Sequence, residues 1–323
     1  MFTRSRFFML IMVVVLMISM IAGCTTQQPP AEQPTESSNV EQPKELKFGA
    51  TYMTLNNPFF VELNDGIKKV VESKGGKLIA LDPQLDINKQ IAQVEDLIAQ
   101  KVDLIFLNPV DWKGIKPALE AAQKANIPII VVDAPVFDDN LVESTVASDN
   151  WNAGVLCAQH LIKAMGETGN VVILEHPTAK SAIDRTKSFE EEIAKYPGIK
   201  VVAKQTSDGQ LEKAMPVMEN ILQANKDIDA VMCLNDPTAL GAIAALESAN
   251  RMDGVLVYGV DGSGDAKTMI KEGKLTATAA QFPGDIGSMA AEAAFKKLNG
   301  ETIDHEIKVP VELIDKTNID KYE

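Results

Sequence analysis

The stretch KQIAQVEDLIAQKVDLIFLNP, residues 89–109, decides the fold. Its first half sets Ile91, Val94, Leu97 and Ile98 three or four residues apart, the spacing that lines one face of a helix. Its second half, DLIFLNP, is a short unbroken apolar run that stops at Asn108 and Pro109. A strand apolar on both faces directly after an amphipathic helix is the signature of a parallel sheet covered on both sides by helices.

The same alternation extends in both directions from there. LKFGATYM, KLIALD, PIIVVD, NVVILEH, KVVAKQT, DAVMCLN, VLVYGVD and TATAAQF read as further strands, most of them separated by helical patterns. These runs are too many for one compact open sheet, so the expected fold class is α/β, with two doubly wound parallel-sheet lobes. The chain is expected to cross between lobes near STVASDN, near Gln281 and near HEIKVPVELI. No short-period repeat is present, which argues against a solenoid.

The chain start reads as an address. Arg4 and Arg6 precede the uncharged run FFMLIMVVVLMISMIAG, and Cys24 follows at once, as in a secretory signal. Its end, IAGC, resembles the lipobox of bacterial lipoproteins, which implies that residues 1–23 are removed and that Cys24 is acylated. An uncleaved anchor helix is the alternative, and either reading places the rest of the chain outside the cytoplasm. Residues 24–45, rich in Pro, Gln, Glu, Ser and Thr and lacking aromatics, read as a flexible tether.

The formal charge of −14 becomes −16 once Arg4 and Arg6 leave, because residues 1–23 hold no Asp or Glu. That balance excludes nucleic acid and anionic membrane surfaces as partners, leaving the lipid as the only membrane contact. Beyond Cys24, Cys157 and Cys233 fall among apolar neighbours and read as buried free thiols, with a disulfide left open.

In open parallel sheets, ligands sit beyond the carboxyl ends of the strands. The apolar runs here end at Asn57, Asn108, Asp133, Asn235, Asp261 and Gln281, each able to hydrogen-bond a hydroxyl. Individually, several have a plainer explanation. Asn57 before Pro58 is cap chemistry, and Asp236 before Pro237 is taken as a second cap. Capping does not require Phe59 and Phe60 in the first turn, nor Gln281 at a strand end. A sugar ring offers C–H patches on its faces and hydroxyls around its edge, so its site needs flat apolar walls with amide, carboxylate and guanidinium groups in the ring plane. Arg185, in SAIDRTKSF, is placed to donate to two oxygens at once.

Together TLNNPFF, PIIVVD, ASDN, LNDPTALGA, YGVDGSGDA and ATAAQFPGDIG resemble the ribose-type periplasmic sugar-binding proteins of ABC importers, from Leu46 nearly to the C-terminus. The resemblance implies two similar lobes joined by a three-strand hinge and closing on one monosaccharide, the type I periplasmic binding fold. It divides the chain into a first lobe of residues 46–147 plus 282–310 and a second of residues 148–281 plus 311–323. The ligand residues it implies are Asn57, Phe59, Phe60, Asp133, Arg185, Asn235, Asp261 and Gln281. Two positions depart from the family pattern. Ala134 stands where ribose binders carry an arginine, and Gly209 where they place an aromatic wall. A hexose, a polyol or a pentose other than ribose would fit the larger space, with Trp151 or Trp112 as a replacement wall or simply as packing residues.

The expected role is a monomeric substrate-binding protein that delivers a sugar or polyol to an ABC permease. The alternative is a sensor presenting the same ligand to a chemoreceptor or kinase. An enzyme is disfavoured: DGSGDAK lacks the full dinucleotide fingerprint, and no phosphate-binding loop or nucleophile elbow occurs. Asp133 and Asp261 as a glycosidase pair are a less economical reading than hydrogen-bond acceptors. DPQLDINKQ lacks the glycine and spacing of a calcium loop, so neither a metal nor a cofactor is expected.

Overall fold

The computed structural model describes residues 45–322; the expected signal, Cys24 and almost all of the expected tether lie outside them. The chain runs β1 (Lys47–Thr51), α1 (Pro58–Ser73), β2 (Lys77–Leu81), α2 (Ile87–Ala99), β3 (Leu104–Leu107), α3 (Lys116–Lys124), β4 (Ile129–Val132) and β5 (Ser144–Ser148). It continues through α4 (Asn150–Met165), β6 (Thr168–Glu175), α5 (Lys180–Ile193), β7 (Gly198–Thr206), α6 (Leu211–Ala224), β8 (Ala230–Cys233), α7 (Asp236–Ser248) and β9 (Leu256–Asp261). Then follow α8 (Gly264–Lys271), β10 (Ala277–Ala280), α9 (Pro283–Leu298), β11 (Glu306–Val309) and β12 (Glu312–Asp315).

Two six-stranded sheets result, ordered β11-β5-β4-β3-β1-β2 and β12-β10-β9-β8-β6-β7. Every pairing in the first is parallel, whereas the second ends in an antiparallel pairing of β12 with β10. The chain passes from the first sheet to the second after Ser148, returns between Ala280 and Pro283, and passes over again through Pro310 and Val311.

The apolar runs become strands because each face of each sheet has a core to fill. In β3, Leu104 and Phe106 join the cluster under α1 and α9, while Ile105 and Leu107 join the opposite one under α2 and α3. In β8, Ala230 and Met232 face the cluster of α4 and α5, while Val231 and Cys233 face that of α6 and α7. A strand buried on both faces has no polar side to show, which is why these sequences lack alternation. The two described cysteines lie in different clusters, on opposite faces of the second sheet, and both are free and buried.

Helices α1 and α9 approach too closely for side chains at their crossing. A Cβ on Gly287 would lie 2.1 Å from the Leu63 carbonyl oxygen, and one on Gly66 would lie 2.3 Å from that of Gly284. Gly287→Ala is therefore expected to destabilise the protein by about 1 to 3 kcal/mol through overpacking, read as a lower urea midpoint at unchanged slope. An unchanged midpoint would show that the two helices separate freely.

Candidate functional site

A cavity of about 270 Å³ opens at the carboxyl ends of both sets of strands. The eight residues named above from the sequence, Asn57, Phe59, Phe60, Asp133, Arg185, Asn235, Asp261 and Gln281, all line it. From the first lobe come the β1–α1 corner and the end of β4, and from the second the ends of β6, β8 and β9. The lobes touch here, because Ala179, Ala182 and Leu234 of the second share a buried cluster with Phe59 and Phe60 of the first.

The corner TLNNPFF explains its own shape. The Asn57 carboxamide oxygen accepts from the Phe59 N–H at 3.0 Å, and Pro58 opens the helix. Capping in this way fixes the direction in which α1 leaves and carries both phenylalanines to the cleft floor. Their rings meet edge to face with centroids 5.3 Å apart, which leaves a rigid apolar wall.

Asp133 and Asp261 stand on unusual backbone, with φ of +64° and +138°. Positive φ in a residue with a side chain costs on the order of 1 to 3 kcal/mol and concentrates at functional sites. Asn108 holds Asp133 in place, donating to its Oδ2 at 3.1 Å while accepting from the Met53 N–H. Gln281 donates from Nε2 to Asp261 Oδ1 at 2.8 Å. Burial pushes the Asp133 carboxyl up to about 6, against the pull of the Arg185 charge. Asp261 is raised well above the usual carboxylate range, by burial first and then by the neighbouring Asp236.

Arg185 is itself buried. Its Nε donates to Asn150 Oδ1 at 2.7 Å and its Nη1 to the Leu234 carbonyl at 3.1 Å. Gly154 lets α4 pack against this turn of α5, since a Cβ there would lie 2.0 Å from the Arg185 carbonyl oxygen. Asn235 accepts from the Thr238 N–H and donates to the Gly209 carbonyl, so its amide both caps α7 and pins the loop that forms one cleft wall.

Four buried side-chain polar atoms lack a partner among the described residues, and three of them, Asp133 Oδ1, Gln281 Oε1 and His176 Nε2, belong to cleft residues. A buried unpaired polar group costs about 1 to 3 kcal/mol. Three such groups lining one cavity mark a place where something else supplies the partners.

Two sequence expectations need correction, and one cleft residue was missed. Asp236 is the first residue of α7 and not its cap, which is Asn235. Asp236 is fully buried, accepting from Thr278 Oγ1 at 2.7 Å and the Ser263 N–H at 2.8 Å, and so ties the segments that follow β8 and β9 to β10. Neither tryptophan lines the cavity. Trp112 packs edge-on against Phe137, and Trp151 is 41% exposed on the first turn of α4, because the buried side of that helix is taken by Ala153, Gly154 and Cys157. His176, not among the residues named above from the sequence, also lines the cavity, just past the end of β6. Burial lowers its pKa from the ordinary imidazole value, and its ring stands beside Gly209. It shares the cavity lining with Asp133 and Asp261 through lobe packing, and its place after the apolar run NVVILE is the local signal that could have found it.

Among the described residues no group of three His, Cys, Asp or Glu side chains could hold a metal ion, and no helix is long and apolar enough to cross a membrane.

Comparison with known proteins agrees with this geometry. Residues 48–302 match the periplasmic binding protein domain. The ribose import binding protein RbsB of Bacillus subtilis is 38% identical over 301 residues, which cover 93% of this chain and 96% of that protein. RbsB of Escherichia coli is also 38% identical, over 80% of this chain and 86% of its own length. Among solved structures, an ABC transporter solute binding protein from Bacillus halodurans with bound myo-inositol superposes with a TM-score of 0.82 at 31% identity, covering 86% of this chain and 97% of the other. One from Actinobacillus succinogenes with bound D-allose gives 0.79 at 33% identity, covering 86% and 100%. The chain belongs to the periplasmic binding protein domain family, with the two parallel-sheet lobes of its type I fold.

Proposed function

We propose that this protein captures a monosaccharide or polyol in the cleft between its lobes and delivers it to an ABC permease. The observation that carries the reading is the trio of unpaired buried atoms, Asp133 Oδ1, Gln281 Oε1 and His176 Nε2, beside the Phe59 and Phe60 rings. A ring with hydroxyls on its edge and C–H groups on its faces satisfies both at once. The relatives named for ribose import, and the solved neighbours holding myo-inositol and D-allose, support the class of ligand.

Binding from two lobes gives a transport signal directly. A ligand that bonds to Asp133 of the first lobe and to Arg185 and Asp261 of the second favours the closed arrangement over the open one, because only closure offers it both sets. A permease that recognises the closed pair then reads the presence of cargo. Ala134, next to Asp133, supplies no guanidinium and Gly209 in the cavity lining supplies no ring, and the space this leaves accords with a hexose, a polyol or a pentose other than ribose. In the same reading the protein acts as a monomer, held outside the membrane by acylated Cys24.

A thermal-shift panel on the purified full chain, with pentoses, hexoses, inositols, sugar alcohols and amino-acid controls, tests the class. A ligand at a hundred times its Kd is expected to stabilise by about 2.7 kcal/mol. A response confined to amino acids would contradict the proposal.

Asp261→Asn keeps the shape but removes a charge that burial penalises. The ligand-free variant is expected to melt no lower than the parent, while calorimetric affinity for the panel's best ligand drops by about 2 to 5 kcal/mol. Equal affinities would take Asp261 out of the site.

Asp133 generates a pH dependence. Its folded-state pKa, about 6, lies above the ordinary 3.8, so its protonated form stabilises the ligand-free protein fully below pH 3.8. That contribution is lost as pH rises through about 6, a change on the order of 3 kcal/mol. The difference in stability between parent and Asp133→Asn is expected to change by that amount from pH 4 to pH 7. A constant difference across that window would show that Asp133 titrates normally.

A further inference from the structure

We propose that Trp112 is a positioning residue for lobe closure: it latches the first lobe onto the loop of the second that carries His176, outside the ligand cavity and away from the hinge strands. The inference rests on lobe closure in the reading above and not on which sugar is bound.

Trp112 follows β3 in the first lobe, yet its backbone N–H donates to the Thr178 carbonyl, between β6 and α5 of the second, at 3.1 Å. In sheet order β4 separates β3 from the crossing strand β5, and β8 and β9 separate β6 from β10, so this bond lies apart from the passages between lobes. A rotation about the hinge moves groups in proportion to their distance from it, so a contact placed here parts early on opening and is fully made only in the closed form.

The first lobe presents the indole on a fixed turn. The Asp111 carboxylate accepts from the Lys113 and Gly114 N–H groups, each at 2.8 Å. The Phe137 N–H donates to the Trp112 carbonyl at 2.8 Å, and the two rings meet edge to face with centroids 5.4 Å apart. From the opposite lobe the Lys180 ammonium, which Asp184 also pairs, stands 6.0 Å from the indole centroid, at the outer limit of a cation–π contact. The loop that Trp112 grips also reaches the cavity, because Thr178 Oγ1 lies 3.3 Å from Nδ1 of His176, whose Nε2 is unpaired. A ligand that pairs with His176 steadies the segment that the latch holds, so both contacts favour the same closed arrangement.

Calorimetric titration of the full chain with D-ribose, D-allose and myo-inositol tests the latch. Neither Trp112 nor Lys180 lines the cavity, so a change of affinity at either reports closure rather than a lost ligand contact. For whichever of the three binds most tightly, Trp112→Ala is expected to weaken binding about five-fold and Lys180→Ala about two-fold, with the double variant no weaker than Trp112→Ala alone. A tryptophan that only stabilises its own lobe gives unchanged affinity in a folded variant, or losses that multiply across the pair; either result would overturn the latch and leave the sugar-binding reading standing. Should Trp112→Ala fail to fold, Lys180→Ala carries the test alone, and unchanged affinity overturns the latch. Silence from all three sugars would count against the sugar-binding reading, and small-angle X-ray scattering of the ligand-free full chain then decides the latch: Trp112→Ala is expected to show a larger radius of gyration than the parent, and equal radii would overturn it.

Discussion

Two carboxylates kept dry at strand ends are the constraint around which this protein is arranged. Asp133 and Asp261 sit on positive-φ backbone and are at most 9% exposed. Neither condition is favourable by itself, since burial penalises the charge and the backbone is one that most side chains avoid. Both are tolerated because the surroundings fix them: Asn108 and the end of β3 hold Asp133, while Gln281 at the crossing between lobes holds Asp261. The stability forgone at these points is held in a form that a ligand can return.

The rest of the fold delivers those groups to one place. Parallel strands buried on both faces stack their carboxyl ends at one edge of each sheet, and the three passages between lobes set those edges opposite one another. Close approach of α4 to α5 at Gly154 places Arg185 against the cleft, and the cap at Asn57 aims the phenylalanines. Asp236 acts out of sight, clamping the starts of α7 and α8 to β10 so that Asp261 has a fixed platform.

Much of this was legible in the sequence, for a physical reason. A strand with apolar residues on both faces must stop where the sheet stops, so LIFL before Asn108 and IIVV before Asp133 announce both the element and its polar end. Patterns local to a few residues read correctly, as with the Asn57 cap. Features set by distant packing did not. Trp151 sits just after a lobe crossing, yet its helix turns it to solvent. His176 enters the cavity only because the loop after β6 meets the loop carrying Gly209. Asp236 looked like a cap because Asp before Pro so often is one; its partner Thr278 lies 42 residues away, beyond the reach of any local pattern.

The central claim is that a polyhydroxylated ring completes the unpaired cleft atoms. The most direct measurement is a crystal structure of the protein with the tightest ligand from the binding panels. The account predicts a ring lying against Phe59 and Phe60, with ligand atoms within hydrogen-bond distance of Asp133 Oδ1, Gln281 Oε1 and His176 Nε2. A ligand seated elsewhere, with those three atoms still unpaired, would contradict it.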